Sequence, residues 1–264
     1  MILVHVLTNY ANKFRKNVAC YVMFCMYCAY LVVMISFEGA DIFSCGKANN
    51  LTDDCNFAGY LDHLVLTDNH CFKGGYTDPE GIFSTIGAII TTFMGYIFSL
   101  VMSKYKSEPK KLIMHWMGIS LAFGAIVYPM TLMMPLNKKL YSGSFTLIVV
   151  AISGASLTFF YCLVDLLPAY VPGAKKVVEI VTAPLKWLGL NPLAIFVLMD
   201  VVAIIMIIYI KIDDKSVWTR FYEACFKSWI SNEAVGATVF ACFFWLLWTI
   251  VAGVMHRYKL YLRL

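Results

Sequence analysis

Residues 234–254 read AVGATVFACFFWLLWTIVAGV, a run without one charged side chain. As a helix it is about 30 Å long, the thickness of a bilayer's hydrocarbon layer. It lacks the period-two alternation of a membrane barrel strand. Five runs of similar character precede it: Ala19–Phe37, Ile82–Met102, Leu112–Met134, Ser144–Leu167 and Leu193–Ile210. The expected fold is therefore all-α, a polytopic membrane helix bundle of about six transmembrane helices. A short inside segment (1–18) would lead into one transmembrane domain (19–264). The composition agrees, with 61% apolar and only 14% charged residues, whereas a soluble domain carries about 25% charged residues.

Charge sets the expected topology. With the N-terminus inside, the inside segments 1–18, 103–111, 168–192 and 255–264 hold 13 Lys and Arg, and the outside segments hold 8. Acids run the other way, with 12 outside and 2 inside. That is the positive-inside pattern, and it puts both termini on the cytosol-like or matrix-like side. The outside loop 38–81 alone carries half of the sixteen acids. No basic stripe with interleaved aromatics suggests a nucleic-acid surface, so none is expected as a partner.

The same loop contains Cys45 and Cys55, which would pair in an oxidising compartment. It also holds the sequon Asn50-Leu51-Thr52, a glycosylation candidate usable only in a secretory lumen. Cysteines within the spans, including Cys25-x-x-Cys28, read as apolar packing residues, and no metal site is expected. Two acids lie inside spans, Asp165 near an inner end and Asp200 deeper. A carboxylate at mid-bilayer costs about 2.5–3.5 kcal/mol on insertion scales, so Asp200 is expected to face the bundle interior, a partner or a wet cavity. Pro129 predicts a kink or early unwinding in the third span. In the last outside segment Trp218, Phe221, Tyr222, Cys225, Phe226, Trp229 and Ile230 recur at helical spacing. They predict an amphipathic interfacial helix over 214–231, lying on the membrane, packing over the bundle as a lid or binding another subunit.

Four pieces carry a likeness to known chemistry. They are Ala58-Gly59-Tyr60-Leu61-Asp62-His63-Leu64, running on to Asp68-Asn69-His70, then Asp78-Pro79-Glu80-Gly81-Ile82-Phe83-Ser84-Thr85-Ile86, then Pro135-Leu136-Asn137-Lys138-Lys139-Leu140-Tyr141-Ser142, and last Gly189-Leu190-Asn191-Pro192-Leu193-Ala194. In this order they resemble the C-terminal half of the heparan-α-glucosaminide N-acetyltransferase family of transmembrane acyltransferases, over most of residues 55–264. The resemblance implies acetyl transfer from cytosolic acetyl-CoA to a glucosamine amine across a membrane. Asp62, His70, Asp78, Glu80, Asn137, Lys138 and Asn191 are then the candidates for the mouth of a pocket. Asp78 or Glu80 would orient an amine and Lys138 would steady developing negative charge.

The sequence also departs from that family. The early segment of the His-x-x-Trp-Asn-Gly type, which carries the family's catalytic histidine, has no counterpart, and Met199-Asp200 stands near the position of a family His-Glu pair. Two functions follow. The first is a truncated, acyltransferase-like pseudoenzyme, a structural subunit of a larger membrane complex such as one in the mitochondrial inner membrane, with other membrane subunits covering its polar positions. The second is an acetyl-CoA-dependent N-acetyltransferase acting on a glucosaminide, or one half of a split enzyme, in a lysosomal or other endomembrane.

Overall fold

A computed structural model describes residues 13–36, 56–67, 69–71, 78–212, 214–230 and 232–262. Helices dominate, and six are long and apolar enough to cross a membrane: Val18–Ser36, Thr85–Tyr105, Pro109–Met133, Gly143–Tyr170, Pro192–Tyr209 and Glu233–Arg257. These match the six runs read from sequence to within a few residues at each end. The outward faces of these helices are apolar, with Leu132 and Tyr128 each 74% exposed. In water such surface would drive aggregation, and in lipid it is the expected coat. The chain divides into two compact units, residues 1–161 and 162–264.

The first unit contains α1 (Lys13–Ser36), α2 (Phe57–Leu66), α3 (Thr85–Tyr105), α4 (Pro109–Met133) and α5 (Gly143–Tyr161). α3, α4 and α5 close on one another around Phe98, Leu112, Trp116 and Val150, and the Trp116 indole N–H donates to the Phe98 carbonyl at 3.0 Å. Gly154 permits this approach, because a Cβ there would run into Ser120 Oγ and the Phe98 ring. α1 docks through Ala19 and Met23 onto Phe93. α4 continues through Pro129 to Met133 before the chain turns, so unwinding begins only at Met134.

The second unit starts with a π-helical turn (Cys162–Leu166), followed by α6 (Leu167–Tyr170), α7 (Ala174–Leu190) and α8 (Pro192–Ile204). A second π turn (Ile205–Tyr209) leads to the small hairpin β1 (Lys211–Ile212) and β2 (Lys215–Ser216), whose register pairs Lys211 with Ser216. Then come α9 (Val217–Tyr222), a third π turn (Glu223–Lys227) and α10 (Glu233–Arg257). Asn232 caps α10, accepting from the amides of Ala234 and Val235 at 3.0 and 3.2 Å. Glu233 in the first turn and His256 and Arg257 in the last complement its dipole.

The amphipathic segment expected over 214–231 is shorter and interrupted. Trp218, Phe221, Tyr222 and Phe226 lie against Phe240, and Phe221 and Phe226 also meet Phe243. Trp229 at its end is exposed. The aromatic stripe packs on α10, where edge-to-face partners are available. The segment 168–192, read from sequence as a connection, contains the helix α7.

Candidate functional site

Three of the four motif pieces meet in the first unit. Asp62, in α2, is completely buried. Its Oδ1 accepts the Ile82 N–H at 2.9 Å, tying the first motif to the second. Gly81 makes this seat possible, since a Cβ there would collide with the Asp62 carboxylate. Oδ2 of Asp62 is buried with no hydrogen-bond partner among the described residues. Burial pushes the Asp62 carboxyl above the usual carboxylate range, and the nearby Asp78 charge adds to this against the opposing Ile82 and Asp78 amides and His63.

Aromatic contacts carry the connection onward. Phe57 meets Phe83 edge-on with ring centres 4.8 Å apart, and Phe83 stacks on Tyr30 of α1 at 5.2 Å. The Tyr30 hydroxyl donates toward the carbonyls of Leu140 and Tyr141 at 3.1 and 3.0 Å, which reaches the third motif. Tyr27 does the same for Gly143 at 3.0 Å. Beneath them Tyr30, Met34, Ala58, Met134 and Leu140 form one buried cluster.

The third motif is a locked turn. Asn137 Oδ1 receives the Lys139 N–H at 2.9 Å and the Leu140 N–H at 3.4 Å. Ser142 Oγ accepts the Asn137 N–H at 3.1 Å and lies 3.1 Å from Ser144 Oγ. Tyr141 adopts φ = 50°, a left-handed conformation that an aromatic residue holds only when its neighbours over-determine it. Its ring lies against Gly87, where a Cβ would meet Cδ1 of Tyr141 at 2.5 Å.

The other candidates are placed as follows. Asp78 closes a turn of its own, with Oδ1 accepting the Glu80 N–H at 2.8 Å. Glu80 and Lys138 are exposed. His70 is exposed too, with Nδ1 2.9 Å from the Leu66 carbonyl. Asn191, in the second unit, is 1% exposed. Its Nδ2 donates to the Leu260 carbonyl at 2.8 Å and its Oδ1 accepts the Leu262 N–H at 3.0 Å, so its amide is spent on the segment after α10. Asp165 and Asp200 are exposed on the second unit's surface. Asn50, Cys45 and Cys55 lie outside the described residues.

Sequence reasoning passed over Tyr27, Tyr30, Gly87 and Ser142 as site residues. The signal available for Tyr27 and Tyr30 was a hydroxyl carried into an apolar span, which must find an acceptor there. Among the described residues, three of the cavities are lined mainly by apolar side chains. None has an Arg or Lys among its wall residues to receive a nucleotide's phosphates, and none is walled by a candidate residue. Among the described residues no three His, Cys, Asp or Glu gather closely enough to hold a metal ion.

No family model matches the chain. Among known proteins it is similar to heparan-alpha-glucosaminide N-acetyltransferase of Homo sapiens, at 27% identity over 154 residues, and to that of Mus musculus, at 26% over 142. The matched stretches cover 50% and 46% of this chain but only 23% and 22% of those relatives. The chain thus resembles, over about half its length, less than a quarter of a heparan-alpha-glucosaminide N-acetyltransferase, and its six apolar helices suit a membrane protein of that kind.

Proposed function

We propose that this chain is a membrane scaffold, a non-catalytic subunit of a larger membrane complex built on an acyltransferase-type helix bundle. The observation that carries this reading is what the motif side chains do. Asp62 is walled in by Gly81 and Ile82, Asn137 holds its own turn, and Asn191 holds the segment after α10. Oδ1 of Asp62 and the side-chain amides of Asn137 and Asn191 are thus committed to backbone. The exposed Asp165 and Asp200 are the positions that neighbouring subunits would cover, since carboxylates facing lipid are costly. Both termini would lie on the cytosol-like or matrix-like side, by charge.

The similarity to an N-acetyltransferase favours a second reading, an acetyl-CoA-dependent transmembrane enzyme acting on a glucosaminide. Asp62, with a buried oxygen that has no partner among the described residues, would then be the acid of a pocket opened by movement of the Asp78–Gly81 turn. Labelled acetyl-CoA and an α-glucosaminide, offered to the purified chain and to its native assembly, separate the two. The scaffold reading expects no transfer from the chain alone and no loss from the assembly on Asp62→Asn. Transfer that disappears with that substitution establishes the enzyme. Glycan at Asn50 would place the outside loop in a secretory lumen, and its absence from an otherwise glycosylated preparation favours the mitochondrial inner membrane.

A further inference from the structure

α7 (Ala174–Leu190) lies between two candidate spans, Gly143–Tyr170 and Pro192–Tyr209. Consecutive spans enter and leave a membrane on opposite courses, so both ends of α7 belong to one face of the bilayer. Three residues link it to the first span and one to the second. A fully extended residue covers at most about 3.6 Å, whereas 17 helical residues measure about 25 Å. Short links at both ends suit a helix lying close to the membrane surface rather than one projecting away from it.

The residues suit that course. Val177, Ile180, Val181 and Leu185 follow helical spacing on one side, and their exposures are 60, 64, 65 and 46%. Lys175, Glu179 and Lys186 fall on the opposite side, with Lys176 on the flank. Val178 is buried, and in the last turn Trp187 sits over Gly253 and 6.4 Å from the His256 ring, so the helix end is pinned to α10. Between α7 and the preceding chain lies a groove of about 330 Å³ whose walls include Leu163, Leu167, Val171, Val177 and Val181.

We propose that α7 is an in-plane interfacial helix, its Val177/Ile180/Val181/Leu185 stripe sunk among lipid acyl chains and its lysines among anionic headgroups, with one phospholipid chain lying in the groove against Leu163 and Leu167. Three lysines against one glutamate select an anionic lipid over a zwitterionic one. Val164, Leu167, Tyr170 and Val171, just before α7, are exposed as well, so the apolar exposure is not confined to the stripe. This placement of α7 rests on the reading of the chain as membrane-spanning.

The test uses the full chain in phosphatidylcholine vesicles with and without phosphatidylserine. A coumarin-bearing amino acid replaces Val181, Glu179 or, as a control within a span, Leu198. The expected result is quenching of residue 181 by acyl-chain nitroxide lipid at least about threefold stronger than at residue 179, and the reverse order with aqueous iodide. Iodide reaching 181 as well as 179 overturns the proposal, and so does protection of 181 from both quenchers, which would mean a protein covers the stripe. A Leu198 probe untouched by nitroxide lipid would instead overturn the membrane-spanning reading itself. Joint substitution Lys175→Gln, Lys176→Gln and Lys186→Gln should lower the serine-to-choline lipid ratio retained in detergent at least twofold. An unchanged ratio refutes the headgroup assignment.

Discussion

Gly81→Ala tests the joint between the first two motif pieces. The new methyl would stand about 2.6 Å from Cγ and 2.7 Å from Oδ1 of Asp62, and closer still to Oδ2. Real carbon atoms do not share such space, so either the carboxylate leaves or the turn shifts. Forcing a methyl into a packed site costs about 1–3 kcal/mol. Displacing the carboxylate also strands the Ile82 N–H, now 2.9 Å from Oδ1, at about 1–3 kcal/mol. The sum is about 4 kcal/mol. Spread over a unit of this size it lowers the melting temperature by roughly 10 °C. Circular dichroism melts in detergent measure it, and a double-mutant cycle isolates the cause. In an Asp62→Ala background the clash partner is gone, so Gly81→Ala should cost about 2 kcal/mol less than in the wild type. Equal costs in both backgrounds would falsify the idea that Gly81 exists to seat Asp62.

The remaining predictions rest on other joints. Asp62 has a raised carboxyl pKa, so the folded chain binds its proton more tightly than the unfolded one, and stability falls as pH rises from the unfolded carboxylate range through the folded value. Asp62→Asn should flatten that fall and melt no lower than wild type at pH 7; a steeper pH dependence in the variant refutes the assignment. Tyr30→Phe removes the donor to Leu140 and Tyr141 and should cost about 1–2 kcal/mol in the same melts. Asn191→Ala releases two backbone groups and should cost about 2–3 kcal/mol while speeding hydrogen exchange at Leu262, whose N–H it now holds. Unchanged exchange there would mean that the segment after α10 is held by something else.

The spans were legible because length and unbroken apolarity suffice to identify them. α7 was not, because its lysines made 168–192 look like a connection. The stripe at 177, 180, 181 and 185 was present all along, but its period competes with the short polar breaks on either side. The π-helical turns at Cys162–Leu166, Ile205–Tyr209 and Glu223–Lys227 left no trace in composition, since one extra residue per turn is a matter of hydrogen-bond register. At the candidate site the motif pieces could be named but not joined. Nothing in the order of residues says that Asp62 meets Gly81, or that Asn191 reaches across about seventy positions to Leu260 and Leu262. Those are tertiary facts, made by helices folding back in space.

The way the pieces join bears on what the resemblance can transmit. Asp62 and Gly81, and Gly87 and Tyr141, are matched pairs in which a Cβ on the glycine would strike its partner, and the Tyr30 hydroxyl ties α1 to the Leu140 carbonyl. Tyr141 holds φ = 50° because Asn137 and Ser142 fix the turn around it and Tyr30 fixes its carbonyl. A turn so constrained conserves its residue types whether or not a substrate ever visits, since relaxing it would release the ends of α4 and α5. Such motifs therefore track the bundle more closely than its chemistry, and a function must be argued from a site rather than a fold. The seat of Asp62 is where the two come apart. A purely structural joint gains nothing from a buried oxygen left without a partner among the described residues, because an asparagine would serve there at lower cost. If Asp62→Asn proves stabilising at neutral pH yet harmless to the native assembly, the carboxylate is an inheritance. If it proves stabilising and harmful, the stability was given up for a reaction, and the turn at Asp78–Gly81 is the place to look for the opening that exposes it.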